Sequence, residues 1–368
     1  MVSVVLFSGG RGSDVLSRQL IGHRDVALTI AINGYDDGAS TGEVRRFLGD
    51  SLGPSDFRKN ASRVARETRS CPAGIIEGLD TRLPTPCSRE DALRALEGIA
   101  VAGGAQMRQR IDAVRRELES GRDFEFSDCA IGNLVFAGCY LNCGRRFNDA
   151  VDDYCALLGL PAGLVENVSD GTNAFLVALE RDRGLLVSEA EIVDGKHQNR
   201  ISDVFLIDRP LSEEDRTALA KLSKEQCTRW LDERSRAIPL NPRLRGRIAA
   251  ADLIIYAPGT QHSSLFPSYL TNDLSRAIAS NLTAIKLLVT NIQADAEISG
   301  STAVDIVERA VYYLKEKGKL PLPVPTLITH YIINDPTILE TDADAGYVPL
   351  GHLETLEDPR LVRIGHYE

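Results

Sequence analysis

The chain has 368 residues, of which 43% are hydrophobic and 26% charged, and it carries a formal net charge of −10 with a pI of about 5.3. This length allows a substantial core, built as one large domain with an insertion or as two domains. The acidic balance argues against a nucleic-acid groove or a membrane-surface protein, although it is compatible with a local basic pocket. No apolar run reaches the roughly 18 residues of a membrane span. From this and from the acidic charge, we expect a cytoplasmic protein with neither a membrane nor a nucleic acid as partner.

Strand-like runs alternate with helical patterns along the chain, and they lie at 2–7, 26–33, 251–259, 284–291 and 325–333. Short, almost continuously apolar strands separated by helices predict an α/β fold with a mainly parallel sheet covered on both faces. Residues 168–207 differ, because they contain two β-rich runs around an Arg-Asp-Arg-Gly turn. This segment predicts a β-hairpin at an edge of the sheet.

Residues 75–127 have the pattern of a helical insertion. Ser88 and Asp91 form a helix-start signature, and apolar residues then recur at helical spacing in two groups: Leu93, Leu96 and Ile99, then Ile111, Val114 and Leu118. We therefore expect two helices here, which either cover the site or pack on a partner. Residues 1–334 are predicted to form a single domain with this insertion, and the turn-rich residues 335–368 a C-terminal tail packed on it.

Seven cysteines without a CxxC pair do not suggest a disulfide framework, and six histidines without HxxxH spacing do not suggest a zinc site. The candidate chemistry lies instead in the loops after the strands. Gly9, Gly10 and Gly12, with Arg11 between them, follow the first strand, where backbone N–H groups and a helix dipole favour an anion. The pattern matches neither standard nucleotide fingerprint, so a ligand loop and a tight turn both remain open.

Asp36 and Asp37 follow the second strand in a glycine-rich run. Two carboxylates at the end of a parallel strand could hold Mg²⁺ opposite a phosphate, or one could accept a proton from an attacking hydroxyl. The alternative is an Asp-Gly turn followed by a helix cap at Ser40 or Thr41.

Four further segments carry polar groups at helix starts or strand ends. Asp56, Arg58 and Lys59 suit recognition of a phosphate or carboxylate, or simply form an ion pair at a solvated helix start. Asn133 stands at the head of an apolar helix as a cap or a ligand donor. Strand ends also contribute Gly259, Thr260, Ser263, Ser264 and Asn291. Because ligands of open α/β sheets bind beyond the carboxyl ends of the strands, these segments together predict one pocket.

In chain order, the sequence contains FSGGRGS, DDGASTGEVRRFLG, GPSDFRKN, IGNLVFAG, NAFLVALERDRGLLVSEAEI, ADLIIYAPGTQHSSLFPSYL and VTN. This set, at about residues 3–310, resembles the 2-phospho-L-lactate transferase (CofD-like) family, which includes the bacterial YvcK-type gluconeogenesis factors. The Asp-Asp-Gly and Asp-x-Arg segments are closer to the YvcK-type branch. The resemblance implies a Rossmann-like three-layer α/β sandwich, often a homodimer.

The resemblance also implies an activity. In the transferase branch, an acceptor hydroxyl attacks a phospholactate-type donor linked to a nucleoside diphosphate, with Mg²⁺, and a nucleoside monophosphate leaves. We therefore expect a Mg²⁺-dependent transferase using a GDP- or UDP-type donor and an acceptor alcohol. The YvcK-type branch implies the alternative, a non-catalytic nucleotide-sugar-binding regulator of carbon or cell-wall metabolism. A degenerate member kept for its surface is the third possibility.

Site roles carried over from the family fall on the segments already named. Asp36 and Asp37 take the metal or base role. The phosphate and nucleotide contacts fall on Gly9, Gly10, Gly12, Asp56, Arg58, Asn133, Gly259, Thr260 and Ser263, to which we add Arg11, Lys59, His262 and Asn291.

The chain departs from the family pattern at several of these positions. Arg11 stands in place of Thr, Ser55 in place of Gly, Lys59 in place of Asn, Ala257 in place of Gly, and His262 in place of the Tyr of the YvcK branch. Two extra cations suggest a donor more anionic than a UDP-sugar, and His262 argues against UDP-sugar binding in particular. Beyond Asn291 the family pattern is largely lost, with Glu297 as the remaining acid.

Overall fold

The computed structural model describes residues 1–10, 12–49, 51–180, 184–186, 191–192, 201–334 and 346–353. The predictions that concern Arg11 and most of the tail 335–368 fall outside these residues. Within them, the strands are β1 Val2–Phe7, β2 Val26–Ile32, β3 Val165–Asn167, β4 Phe175–Glu180, β5 Leu185–Leu186, β6 Ile201–Ile207, β7 Leu253–Tyr256, β8 Ile285–Val289 and β9 His330–Ile332.

Six of these strands form one parallel sheet in the order β3-β2-β1-β7-β8-β9. The apolar runs therefore form the parallel sheet that the sequence predicts. Strand order reverses between β1 and β7, since β2 and β3 lie on one side of β1 and β8 and β9 lie beyond β7. In such sheets, ligands bind in the crevice outside the carboxyl ends of the two strands at the reversal.

The helices in the described residues are α1 Asp14–Gly22, α2 Ala39–Leu48, α3 Ser55–Thr68, α4 Ala73–Asp80, α5 Arg89–Glu119, α6 Ile131–Asn142, α7 Phe147–Leu157, α8 Glu213–Leu219, α9 Lys224–Glu233, α10 Pro242–Ala249, α11 Phe266–Tyr269, α12 Leu274–Ser280, α13 Ala303–Leu314 and α14 Val324–Leu327. A π-helical turn, Gln261–Leu265, precedes α11, and a 3₁₀ turn, Ala296–Ile298, precedes α13. None of the helices in the described residues is both long enough and apolar enough to cross a membrane.

The predicted β-hairpin forms, but in a sheet of its own. Strands β4 and β5 pair antiparallel, and β6 pairs on the other side of β4. Side chains alternate between the faces of this small sheet. Val177 and Phe205 pack with residues of α8 and α9, whereas Leu176 and Val204 belong to the main core. The expected position at an edge of the parallel sheet is therefore wrong, because β4 pairs with β5 and β6 on its two sides and these strands form a separate sheet.

Residues 89–119 form two helical halves that meet at Gly104, whose φ of 73° interrupts the helix. Ser88 caps the first half by accepting a hydrogen bond from the backbone N–H of Asp91 at 3.1 Å. The halves run antiparallel, since Arg89 donates to the carbonyl of Leu118 at 2.7 Å. The two predicted helices are thus present. Their apolar residues belong to the main core, with Gly138 of α6 at the crossing, where an added Cβ would lie 2.0 Å from the carbonyl oxygen of Arg110.

Candidate functional site

The loop after β1 holds its three glycines against three other parts of the protein. A Cβ on Gly9 would lie 2.5 Å from that of Ser264, one on Gly10 would lie 2.8 Å from Oδ1 of Asp56, and one on Gly12 would lie 2.4 Å from the Cα of Gly259. None of the three has a positive φ. Glycine is required here because other parts of the chain approach the backbone closely, as the sequence indicated, but the approaching groups are protein atoms and not only a ligand.

The backbone of this loop keeps its capacity to bind an anion. Asn60 donates from Nδ2 to the carbonyl oxygen of Gly9 at 2.9 Å, and Arg63 donates to that of Gly10. Because a trans peptide points its C=O and N–H in opposite directions, the Gly10 N–H faces away from Asn60. Among the described residues, no acceptor contacts the N–H groups of Gly9, Gly10 or Gly12. Such groups before a helix are anion donors.

A pair of opposite charges lies beside the loop. Nζ of Lys59 is 3.0 Å from Oδ1 of Asp56, and the Asp56 side chain is 9% exposed against 35% for Lys59. Burial raises the pKa of Asp56, and the charge of Asp36 acts in the same direction, while Lys59 acts to lower it. The three groups therefore form one electrostatic cluster at the ends of β1 and β2.

Asp36 also makes the turn that the sequence offered as an alternative role. Its Oδ1 accepts from the backbone N–H of Gly38 at 2.9 Å. The helix that follows begins at Ala39, so Ser40 and Thr41 lie inside its first turn, and the predicted cap at either residue is wrong. Asp37 is half-buried beside it. Turn formation occupies one oxygen of Asp36 and does not exclude a ligand role for the carboxylates.

Arg58 and Asn133 belong to a buried network that supports the loops. Asn133 accepts from Nε of Arg58 at 3.1 Å and donates to the hydroxyls of Ser40 and Ser55, each at 3.3 Å. Nη1 of Arg58 donates to Asp80 at 2.6 Å. The cap residue of α6 is Ala130, so a capping role for Asn133 is wrong. These bonds join α2, α3, α4 and α6 behind Asp36 and Asp56.

Asn291, at the end of β8, holds the loop after β7 in place. Its Oδ1 accepts from the N–H of Gly259 at 3.2 Å, and its Nδ2 donates to the carbonyl of the same residue at 2.9 Å. Nε2 of Gln261 donates to Oδ1 of Asn291 at 2.8 Å and to the carbonyl oxygen of Gly259 at 3.1 Å. Thr260 donates to the hydroxyl of Ser264 at 2.8 Å. This fixed loop is the surface on which Gly12 packs.

His262, in the π-helical turn after β7, and Glu297, in the 3₁₀ turn after β8, form a buried pair. Glu297 accepts from the N–H of His262 at 2.7 Å, the N–H of Ser263 at 3.1 Å and the Ser263 hydroxyl at 2.5 Å. Burial raises the pKa of Glu297 to about 7. Burial, with a smaller effect of Arg309, lowers the pKa of His262 to about 3. The imidazole is therefore neutral near pH 7, and neither of its nitrogens has a partner among the described residues.

His262 and Glu297 line a cavity of about 490 Å³, together with Gln261, Lys224, Arg309 and Tyr312 among others. No described residue of the glycine loop lines it, and neither does Asp36 or Asp56. The residues predicted to share one pocket therefore do not all line this cavity, and Gln261 is the residue that belongs both to the cavity lining and to the loop held by Asn291. Sequence reasoning missed Lys224, Arg309 and Tyr312, because only the packing of α9 and α13 brings them to this place and no local motif marks them.

A doubly wound α/β protein with a glycine-rich loop at the strand-order reversal is the class that this fold and site define. The profile of the family described as 2-phospho-L-lactate transferase CofD matches residues 4–352, and the chain belongs to this family. The match extends further toward the C terminus than the motifs read from the sequence.

Individual proteins are also similar to this chain. Over 161 residues, or 41% of this chain, the sequence is 27% identical to a protein of Aquifex aeolicus (strain VF5) named "Putative gluconeogenesis factor", and the match spans 45% of that protein. Two crystal structures of a UPF0052 family member from Bacillus halodurans each superpose with a TM-score of 0.62, at 19% and 20% identity. They cover 95% of this chain and 87% or 86% of theirs, which shows a shared fold.

Proposed function

We propose that the protein is a CofD-like transferase that moves a phospho-containing group from a nucleoside-diphosphate-linked donor to an acceptor hydroxyl. The observation that carries this proposal is the contact between the glycine loop and the loop after β7, with unpaired loop amides and the Lys59–Asp56 pair beside it. Amides and a cation at a strand-order reversal suit a diphosphate. Membership of the family supports the same reaction.

A magnesium ion fits this site only if the ligand shares it. The described residues contain no group of three or more His, Cys, Asp or Glu side chains suited to a metal. Magnesium, however, is usually held by one or two carboxylates together with substrate phosphates and water. Asp36 and Asp37 are the carboxylates that would hold it, and the bound ion would neutralise charge that develops on the transferred phosphoryl group.

The residues of the chain would act in the following way. The loop amides and Lys59 hold the diphosphate, and the acceptor oxygen attacks the phosphorus distal to the nucleoside. One carboxylate of the Asp36–Asp37 pair accepts the hydroxyl proton. The P–O bond to the nucleoside monophosphate breaks, and that product leaves with the bridging oxygen and the bonding electrons. Positioning and electrostatic stabilisation supply most of the rate enhancement in such reactions.

The Asp37→Asn variant tests the catalytic assignment. We expect nucleotide release from a phospholactate-type donor and an acceptor alcohol to be abolished, since the amide neither accepts the proton nor holds a cation well. Nucleoside diphosphate affinity should change little, because the amides and Lys59 remain. Phosphorus NMR of the reaction and isothermal titration of GDP and UDP measure the two quantities. An equal loss of both would remove Asp37 from the catalytic role.

Although His262 in place of Tyr argues against a UDP-sugar from the sequence alone, the cavity around it favours a second candidate, a nucleotide-sugar-binding regulator. A neutral, buried imidazole with both nitrogens unpartnered among the described residues offers a donor and an acceptor to an uncharged hydroxyl. This candidate predicts that a UDP-sugar binds and is recovered intact after prolonged incubation with Mg²⁺ and alcohols. Consumption of the nucleotide would exclude it.

A further inference from the structure

Lys59 places a positive charge beside both a buried carboxylate and the glycine loop. It lies on α3, three residues after Asp56, with its ammonium 3.0 Å from Oδ1 of that residue. The same ammonium is 3.5 Å from the position that a Cβ of Gly10 would occupy. The charged end of Lys59 therefore lies close to both Asp56 and the loop backbone, and Oδ1 of Asp56 is itself 2.8 Å from the same Gly10 position.

The surroundings explain why a cation is present. Asp56 is buried, and the nearby charge of Asp36 makes its ionised form still less favourable. A buried carboxylate without a partner costs several kcal/mol. The ammonium of Lys59 supplies that partner from within the chain. A divalent ion placed at Asp56 would be repelled by this ammonium at a separation of a few ångströms.

We infer that Lys59 is the resident cation for the diphosphate, so that the ligand binds without a divalent metal. An ammonium has three N–H donors, and it can bind a phosphate oxygen while it stays paired with Asp56. Gly10, whose N–H has no acceptor among the described residues, lies next to it. The metal proposed at Asp36 and Asp37 then serves mainly the transfer step and is not required for ground-state binding. The identity of the ligand as a nucleoside diphosphate rests on the proposed function.

Isothermal titration of inorganic pyrophosphate, GDP and UDP into the full chain, in EDTA and in excess Mg²⁺, tests this inference. For the wild type we expect binding in EDTA already, and excess Mg²⁺ should strengthen it by less than the factor that Lys59→Met loses in EDTA. Lys59→Met should weaken binding in EDTA by about tenfold or more, the cost of one charge-assisted hydrogen bond. Mg²⁺ should restore part of the loss, because Asp36 and Asp56 can then share a metal ion.

Three further variants guard against indirect effects. Lys59→Arg keeps the charge and should retain metal-independent binding. Asp56→Asn combined with Lys59→Met removes the buried charge together with its partner, so the double variant should fold, bind weakly in EDTA and lack rescue by Mg²⁺. Arg66→Gln removes a cation of the same helix whose partner is Asp80, and it should bind like the wild type.

The outcomes separate the inference from the proposed function. One outcome is that pyrophosphate binding depends on Lys59 and that GDP and UDP bind no more tightly than pyrophosphate. This outcome supports the inference and counts against a nucleotide-linked donor. Nucleotide binding that needs Mg²⁺ in the wild type and is unchanged in Lys59→Met overturns the inference and leaves the proposed function standing. Absence of binding by all three probes also overturns the inference.

Discussion

At the scale of single residues, His262 and Glu297 affect stability with opposite dependence on pH. Glu297 has its pKa raised from 4.5 to about 7, so the folded state binds the extra proton and stability is lost as the pH rises from 4.5 to 7. His262 has its pKa lowered from 6.5 to about 3, so stability is lost as the pH falls from 6.5 to 3. Between about pH 4.5 and 6.5 the two contributions oppose each other.

Two variants separate these contributions. Relative to wild type, Glu297→Gln should gain stability as the pH rises from 4.5 to 7, and His262→Phe should gain stability as the pH falls from 6.5 to 3. The slope in each window is at most about 1.4 kcal/mol per pH unit for one proton. Urea unfolding at closely spaced pH values measures both. Parallel curves for wild type and variant would show that the group has an ordinary pKa in the folded protein.

At the scale of elements, the crossing of α5 and α6 depends on the absence of one side chain. An added Cβ at Gly138 would lie 2.0 Å from the carbonyl oxygen of Arg110, which is backbone and cannot move aside as a side chain could. The crossing belongs to the main core, because Ile111, Val114 and Val135 are buried there.

Gly138→Ala should therefore destabilise the protein by about 1–3 kcal/mol or more, as overpacking does. Gly98→Ala is the matched control, because it lies in α5 with no atom within 4 Å of the added Cβ, and it should be neutral or stabilising by up to about 1 kcal/mol. Chemical denaturation of both variants measures the difference. Similar stabilities for the two variants would mean that the helices separate at little cost.

The sequence is most informative where neighbouring residues determine the structure. Continuous apolar runs predict β1, β2, β7 and β8 because both faces of a parallel sheet are buried. Ser88 predicts the start of α5 because a cap bonds only three residues away. The packing of β4 to β6 as a second sheet could not be predicted, since its two faces meet partners that are distant in the chain.

The same distinction applies to the site. Strand ends indicate the glycine loop, Asp36 and Gly259, because parallel strands bring their ends to one edge. The sequence does not indicate that Asn133 and Arg58 bond to each other, nor that Glu297 accepts hydrogen bonds from the backbone of His262. Those relations depend on packing between α3 and α6 and between the turns after β7 and β8.

At the scale of the whole molecule, the proposed ligand lies between loops from the two halves of the sheet. Binding should therefore protect amides in residues 8–17 and in residues 257–266 together, while residues 105–119 of α5 keep their exchange rates. Hydrogen exchange with GDP at about 100 times its Kd, where the linked stabilisation is about 2.7 kcal/mol, measures this. Protection that spreads into α5 would favour a regulator whose ligand orders that segment.

The contact of Gly12 with Gly259 also has a consequence during synthesis of the chain. The first strand and its loop leave the ribosome early, but the surface on which the loop packs follows only after β7. In a growing chain that ends before β7, the glycine loop lacks the loop on which it packs. Bringing together Gly12 and Gly259, which are far apart in the chain, costs conformational entropy that is offset only when the sheet is complete. Binding of the proposed ligand should therefore become possible late, once both halves of the sheet have assembled.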